Sequence, residues 1–133
     1  MGRALVSVLP DQPFKRVLYM GCGPAYKSYP IMNALPGAEH WGIDLAAPML
    51  KYARHRAVEN GKPMHFNQMN AEDMDFPDGH FDLVFCMLLL HEVPTKAVTN
   101  IVNEDARVLA PGGVLANLCL LYTSDAADDI PRG

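Results

Sequence analysis

Short apolar runs alternate with helical spacings along this chain. Residues 16–20 (RVLYM) read as a strand that stops at Gly21-Cys22-Gly23. Residues 24–35 then carry partly helical spacing and end at Pro36-Gly37, although Pro30 inside a helix costs about 3 kcal/mol or a kink. Residues 39–44 (EHWGID) read as a second strand. Pro48 follows, where a first helical turn accepts proline, with Met49, Leu50, Ala53 and Ala57 on one side and Gly61 and Pro63 as a stop. A third strand is expected over 63–70, alternating Met64, Phe66 and Gln68.

After an Asp78-Gly79 turn, residues 81–87 are almost wholly apolar, which predicts a strand covered on both faces, as in a parallel sheet. Thr95 is placed to cap a helix with Val98, Ile101, Val102, Ala106 and Leu109 at intervals of three or four. Pro111-Gly112-Gly113 would end that helix before a fifth strand at 114–118. Strands alternating with helices predict an α/β fold, a Rossmann-like doubly wound parallel sheet of about five strands. Its ligand is expected beyond the carboxyl ends of the strands, where the strand order reverses.

Composition narrows the partners. The chain has 133 residues, 11 Lys+Arg against 15 Asp+Glu, and a net charge of -4 with no basic block, so nucleic acid is a poor candidate partner. Three widely spaced cysteines without a CxxC pair suggest neither a disulfide framework nor a zinc site, and the chain reads as cytoplasmic. The longest apolar run, residues 83–90, is far short of a membrane span, so none is expected.

The glycine turn is the first candidate site, because backbone without side chains can approach a ligand closely. Asp44 closes the second strand 23 residues after Gly21, the position from which a carboxylate reaches the hydroxyls of a ribose. Asp at a strand end is also an ordinary helix cap; the glycines at this spacing favour a bound nucleoside. A dinucleotide fits less well: G-x-G-x-x-G requires glycine at 26, where the chain has Tyr26. H-E-x-x-H likewise fails, with Thr95 where the second histidine would stand, and no metal is implied.

RVLYMGCGPA, WGIDLAAPML, NAEDMDFPDGHFDLVF and ARVLAPGGVL, in that order, resemble the successive motifs of the class I S-adenosylmethionine-dependent methyltransferases. The similarity is to the small-molecule branch typified by the ubiquinone and menaquinone biosynthesis enzymes. It implies S-adenosyl-L-methionine as cofactor and methyl transfer to a small-molecule acceptor. By resemblance, Gly21, Cys22 and Gly23 would face the methionine part, Asp44 would hold the ribose and Leu45 would pack on the adenine. The Asn70 amide oxygen would accept from the adenine amino group, and the Ala71 N–H would bond a ring nitrogen. Cys86 and Met87 would flank the methionine amino group and the methyl donor. His91 stands where this branch often has histidine and could take a proton from the acceptor; the alternative is a structural histidine bonded to the next loop.

Two positions depart from the family pattern. Tyr19 replaces an acidic residue, from which weaker cofactor binding is expected, and Ala25 replaces a third glycine at the expense of one methyl. Cys22 reads as turn filling rather than a nucleophile. The likeness to the family covers residues 16–118. Residues 119–133 look like the translation of a sequencing-library adapter, so the expected organisation is a partial methyltransferase domain over 1–118 and a non-native tail, with the family's final strands missing. Strand five would then be an exposed apolar edge and the chain marginally stable. A non-catalytic nucleoside-binding module and a NAD-dependent oxidoreductase remain the alternatives.

Overall fold

The computed structural model describes residues 9, 12–23, 25, 28–86 and 94–117. Among these, five strands form one sheet: β1 (Arg16–Met20), β2 (Glu39–Asp44), β3 (His65–Gln68), β4 (Phe81–Cys86) and β5 (Leu109–Asn117). They lie in the order β3-β2-β1-β4-β5, and every pair is parallel. The order reverses between β1 and β4, the switch point of a doubly wound sheet. Helices α1 (Tyr29–Ala34), α2 (Ala47–Glu59) and α3 (Thr95–Val108) complete the described framework.

Alternation along the central strands divides the core. Val17 and Tyr19 of β1 and Leu83 and Phe85 of β4 pack with Ile31 of α1 and with Leu50, Ala53 and Ala57 of α2. Leu18 and Met20, with Val84 and Cys86, pack on the other face with Ile101 and Val108 of α3. Burial of β4 on both faces is what its apolar run predicts. The Asp82 carboxylate pins the start of β1, its Oδ2 accepting the Lys15 N–H at 2.7 Å and its Oδ1 the Arg16 N–H at 3.1 Å.

Several boundaries differ from the sequence expectation. Helix α1 starts at Tyr29, so Pro30 falls in the first turn, where its missing N–H costs nothing, and there is no kink. Thr95 is the first residue of α3 and Pro94 precedes it as the cap, so the Thr95 side chain does not cap. Pro111-Gly112-Gly113 lies inside β5, accommodated by a register irregularity against β4 between Phe81 and Leu83, and the helix ends earlier, at Val108. The buried stripe of α3 is Ile101, Asp105 and Val108, whereas Val102 is 45% exposed.

Candidate functional site

At the carboxyl ends of β1, β2 and β3, against the first turns of α3, lies a cavity of about 230 Å³. Gly21 contributes backbone, Asp44 and Asn70 contribute polar side chains, and Ile43, Leu45 and Ile101 contribute apolar surface; Ala71 and Glu72 complete that wall. Gly21 and Gly23 have φ of 67° and 52°, left-handed values that suit residues without a Cβ, and this lets β1 reverse sharply at the cavity. The Gly21 and Cys22 N–H groups both donate to the Ile43 carbonyl, at 2.9 and 3.1 Å, holding the turn over the end of β2.

Asp44 is bonded on both oxygens. Oδ2 accepts the Gly23 N–H and Oδ1 the Ala46 N–H, each at 2.9 Å. A carboxylate has about four acceptor sites, so two remain for hydroxyl donors. The ring-holding and turn-holding readings of Asp44 are therefore compatible in one geometry. Leu45, beside it, is 62% exposed and adds apolar surface to the cavity lining.

The opposite wall is set by the connection between β3 and β4. Asn70 Oδ1 accepts the Glu72 N–H at 2.9 Å, and Glu72 Oε1 accepts Asn100 Nδ2 of α3 at 3.0 Å. Farther along, Arg107 donates to the carbonyls of Met74 and Phe76 at 2.8 and 2.7 Å and to Asp78 at 2.8 Å, while Glu104 accepts the Met74 N–H. These tethers fix the connection to α3 and so fix where Asn70 and Ala71 face. Glu72, Asn100, Pro94, Ala97 and Ile101 belong to this wall or its support and were not anticipated; the placement of α3's start against the strand ends is what brings them in.

The residues expected from sequence divide accordingly. Gly21, Asp44, Leu45, Asn70 and Ala71 meet at the cavity. The Cys22 thiol instead points into the core, where a Cβ on Gly42 would lie 2.9 Å from its sulfur. Burial, reinforced by the Asp44 charge, pushes that thiol up to about 12, so it carries no thiolate at neutral pH. Cys86 is buried in the core on the α3 side of the sheet. Met87 and His91 lie outside the described residues. Tyr19 does not border the cavity; its ring is fully buried on the opposite face, stacked on Phe85 at 5.4 Å and hydrogen-bonded to His40.

A parallel, doubly wound sheet with a cavity at its switch-point end, a glycine turn and a strand-end carboxylate defines an α/β domain of the type that takes a small ligand at that crevice. Residues 17–113 match the family model described as "Methyltransferase domain", and the chain belongs to that family.

Among curated relatives, the ubiquinone biosynthesis O-methyltransferase of Bordetella pertussis is 38% identical over 100 residues, covering 74% of this chain and 40% of that protein. The demethylmenaquinone methyltransferase of Thermus thermophilus is 35% identical over 118 residues, covering 87% and 52%. The chain thus spans about half the length, or less, of these relatives. Among solved structures, the S-adenosylmethionine dependent methyltransferase of Mesorhizobium loti superposes with a TM-score of 0.68 at 27% identity, covering 86% of this chain and 51% of that one. A Pyrococcus horikoshii protein shares the fold with a TM-score of 0.77 at 22% identity, covering 98% and 61%.

Proposed function

We propose that this chain is the cofactor-binding part of an S-adenosylmethionine-dependent methyltransferase acting on a small-molecule acceptor. One observation carries the reading: Asp44, with acceptor capacity to spare, stands in the same cavity as the Gly21 backbone and the Asn70-Ala71 wall. The groups present fit a nucleoside, with a carboxylate for ribose hydroxyls, apolar Ile43, Leu45 and Ile101 for a flat base, and polar groups at the far wall. When bound, S-adenosylmethionine supplies a sulfonium-activated methyl group for in-line transfer. The chain contributes alignment and exclusion of water. Gly21, Cys22 and Gly23 would present backbone to the methionine part, with Cys86 and Met87 beside its amino group and His91 available to take the acceptor's proton.

The names of the relatives and the acidic net charge support a small molecule rather than nucleic acid as acceptor. Among the described residues no helix is long and apolar enough to cross a membrane, and we place the protein in the cytoplasm. We assign the domain to residues 1–118 and residues 119–133 to a non-native tail.

Calorimetric titration of the chain tests the reading. S-adenosylhomocysteine is expected to bind, and Asp44→Ala to weaken it at least tenfold by removing the hydroxyl acceptor and loosening the Gly23 turn together. Binding of NAD with indifference to S-adenosylhomocysteine would overturn the proposal.

A further inference from the structure

Two banks of the cavity belong to different elements. Asn70, Ala71 and Glu72 of the β3–β4 connection form one, and Pro94, Ala97 and Ile101 at the start of α3 form the other. The hydrogen bonds of the first bank close on its own side. The Met69 N–H donates to the Asp44 carbonyl and the Asp73 N–H to the Asn70 carbonyl, each at 3.1 Å, and the Glu72 N–H donates to Asn70 Oδ1 at 2.9 Å. These bonds shape the turn and tie it to β2, but they do not set its distance from α3. Among the described residues one hydrogen bond joins residues 69–73 to that helix, from Asn100 Nδ2 to Glu72 Oε1 at 3.0 Å. The next tether comes only at Met74, whose N–H donates to Glu104.

Asn100 stands where such a bond acts on the cavity. Three residues after Ala97 and next to Ile101, it shares their side of α3. Its amide donates to a carboxylate oxygen, a stronger pairing than one between neutral groups. Without it the banks are free to part, and a ligand must then draw them together at the expense of its own affinity. Resting on the cofactor reading above, we propose that Glu72 and Asn100 are positioning residues, whose hydrogen bond holds the two banks at the width a bound nucleoside needs. The role passes through the bond, so it does not depend on which edge of the base faces either bank.

The test is calorimetric titration of the full chain with S-adenosylhomocysteine, well below the melting temperature of each variant. Glu72→Ala and Asn100→Ala should each weaken binding about three- to tenfold, and the double variant should be little worse than either, because one bond is lost in all three. Asn100→Asp changes a single atom and sets carboxylate against carboxylate, so it should bind more weakly than the parent. Combining it with Glu72→Gln rebuilds the bond with donor and acceptor exchanged and should recover most of that loss. A merely structural pair would lower melting temperatures and leave the dissociation constants of the folded variants equal to the parent's, which overturns the inference. So do additive losses in the double variant, or an exchanged pair no better than Asn100→Asp alone. A parent that melts cooperatively yet does not bind S-adenosylhomocysteine overturns the cofactor reading itself, and this inference with it.

Discussion

The Tyr19 hydroxyl and Nδ1 of His40 lie 2.9 Å apart in the core, and His40 Nε2 lies 3.0 Å from the Leu35 carbonyl. A carbonyl only accepts, so Nε2 carries the proton, Nδ1 is the acceptor, and Tyr19 donates. Burial lowers the His40 pKa, consistent with a neutral ring in this relay. The relay ties β1 through β2 to the end of α1, on the face of the sheet away from the cavity.

Tyr19→Phe should therefore be a stability variant. It leaves His40 Nδ1 buried without its donor, at a cost of about 1–3 kcal/mol. Affinity for S-adenosylhomocysteine should stay within about threefold of the parent once both are compared well below their melting temperatures. Denaturant unfolding and calorimetry together decide the matter: a large loss of affinity at unchanged stability would return Tyr19 to the ligand site, as the family comparison of residue 19 alone had suggested.

Ala25 has a φ of 69°, the one non-glycine residue in the left-handed region among those described, and it is buried. Its cost is thus conformational, beyond the extra methyl that sequence comparison counts. Ala25→Gly relieves roughly 1–2 kcal/mol of backbone strain, but forfeits about 0.8 kcal/mol of methyl burial and 0.5–1 kcal/mol of chain entropy. The variant should fall within about 1 kcal/mol of the parent. Ala25→Val meets both the strain and a filled core, and should lose about 2–4 kcal/mol. Equal midpoints for the two variants in urea unfolding would contradict this account.

The order of elements was legible because their apolar runs are short and uninterrupted, and β4, apolar on both faces, announced a parallel sheet. Asp44 and the glycine turn were legible because a strand end and a turn fix their place without knowledge of facing. What failed depended on facing or on exceptions. The stripe of α3 was misread because a charged residue, Asp105, occupies a core position, and Val102 was taken in its stead. Pro111-Gly112-Gly113 reads as a helix stop, yet the sheet absorbs it as an irregularity in β5. Cys22 could be named from the glycine turn, but that its thiol faces the core follows from tertiary packing that no spacing encodes.

Gly42 sits where β2 passes under the glycine turn. A Cβ there would lie 2.7 Å from Met64 Cε and 2.9 Å from Cys22 Sγ. The methionine end can move aside; the cysteine belongs to the turn that donates to Ile43, so displacing it shifts Gly21 and Gly23. Gly42→Ala should cost about 1–3 kcal/mol and weaken nucleoside binding. Adding Cys22→Ala makes room for the new methyl, and the double variant should recover part of both losses. A strictly additive cycle would show that the two side chains do not compete for that space.

Asp105 is 2% exposed, its Oδ1 has no hydrogen-bond partner among the described residues, and it occupies the last turn of α3, where the helix dipole also disfavours negative charge. Burial, with the Glu104 charge beside it, pushes its carboxyl from 3.8 up to about 7. In the unfolded chain the same group ionises near pH 4. Between these values the folded state holds the extra proton, so this group makes stability fall as pH rises from about 4 to about 7, with no further change above. Asp105→Asn removes the titration. The stability difference between variant and parent should be small at pH 4, grow in the variant's favour through pH 7, and level off on the order of 3 kcal/mol. Taking the difference cancels the opposite trend from His40, which is present in both proteins. Unfolding free energies measured across that range check it, and a difference that does not vary with pH would mean that Asp105 is already ionised in the folded chain at pH 4.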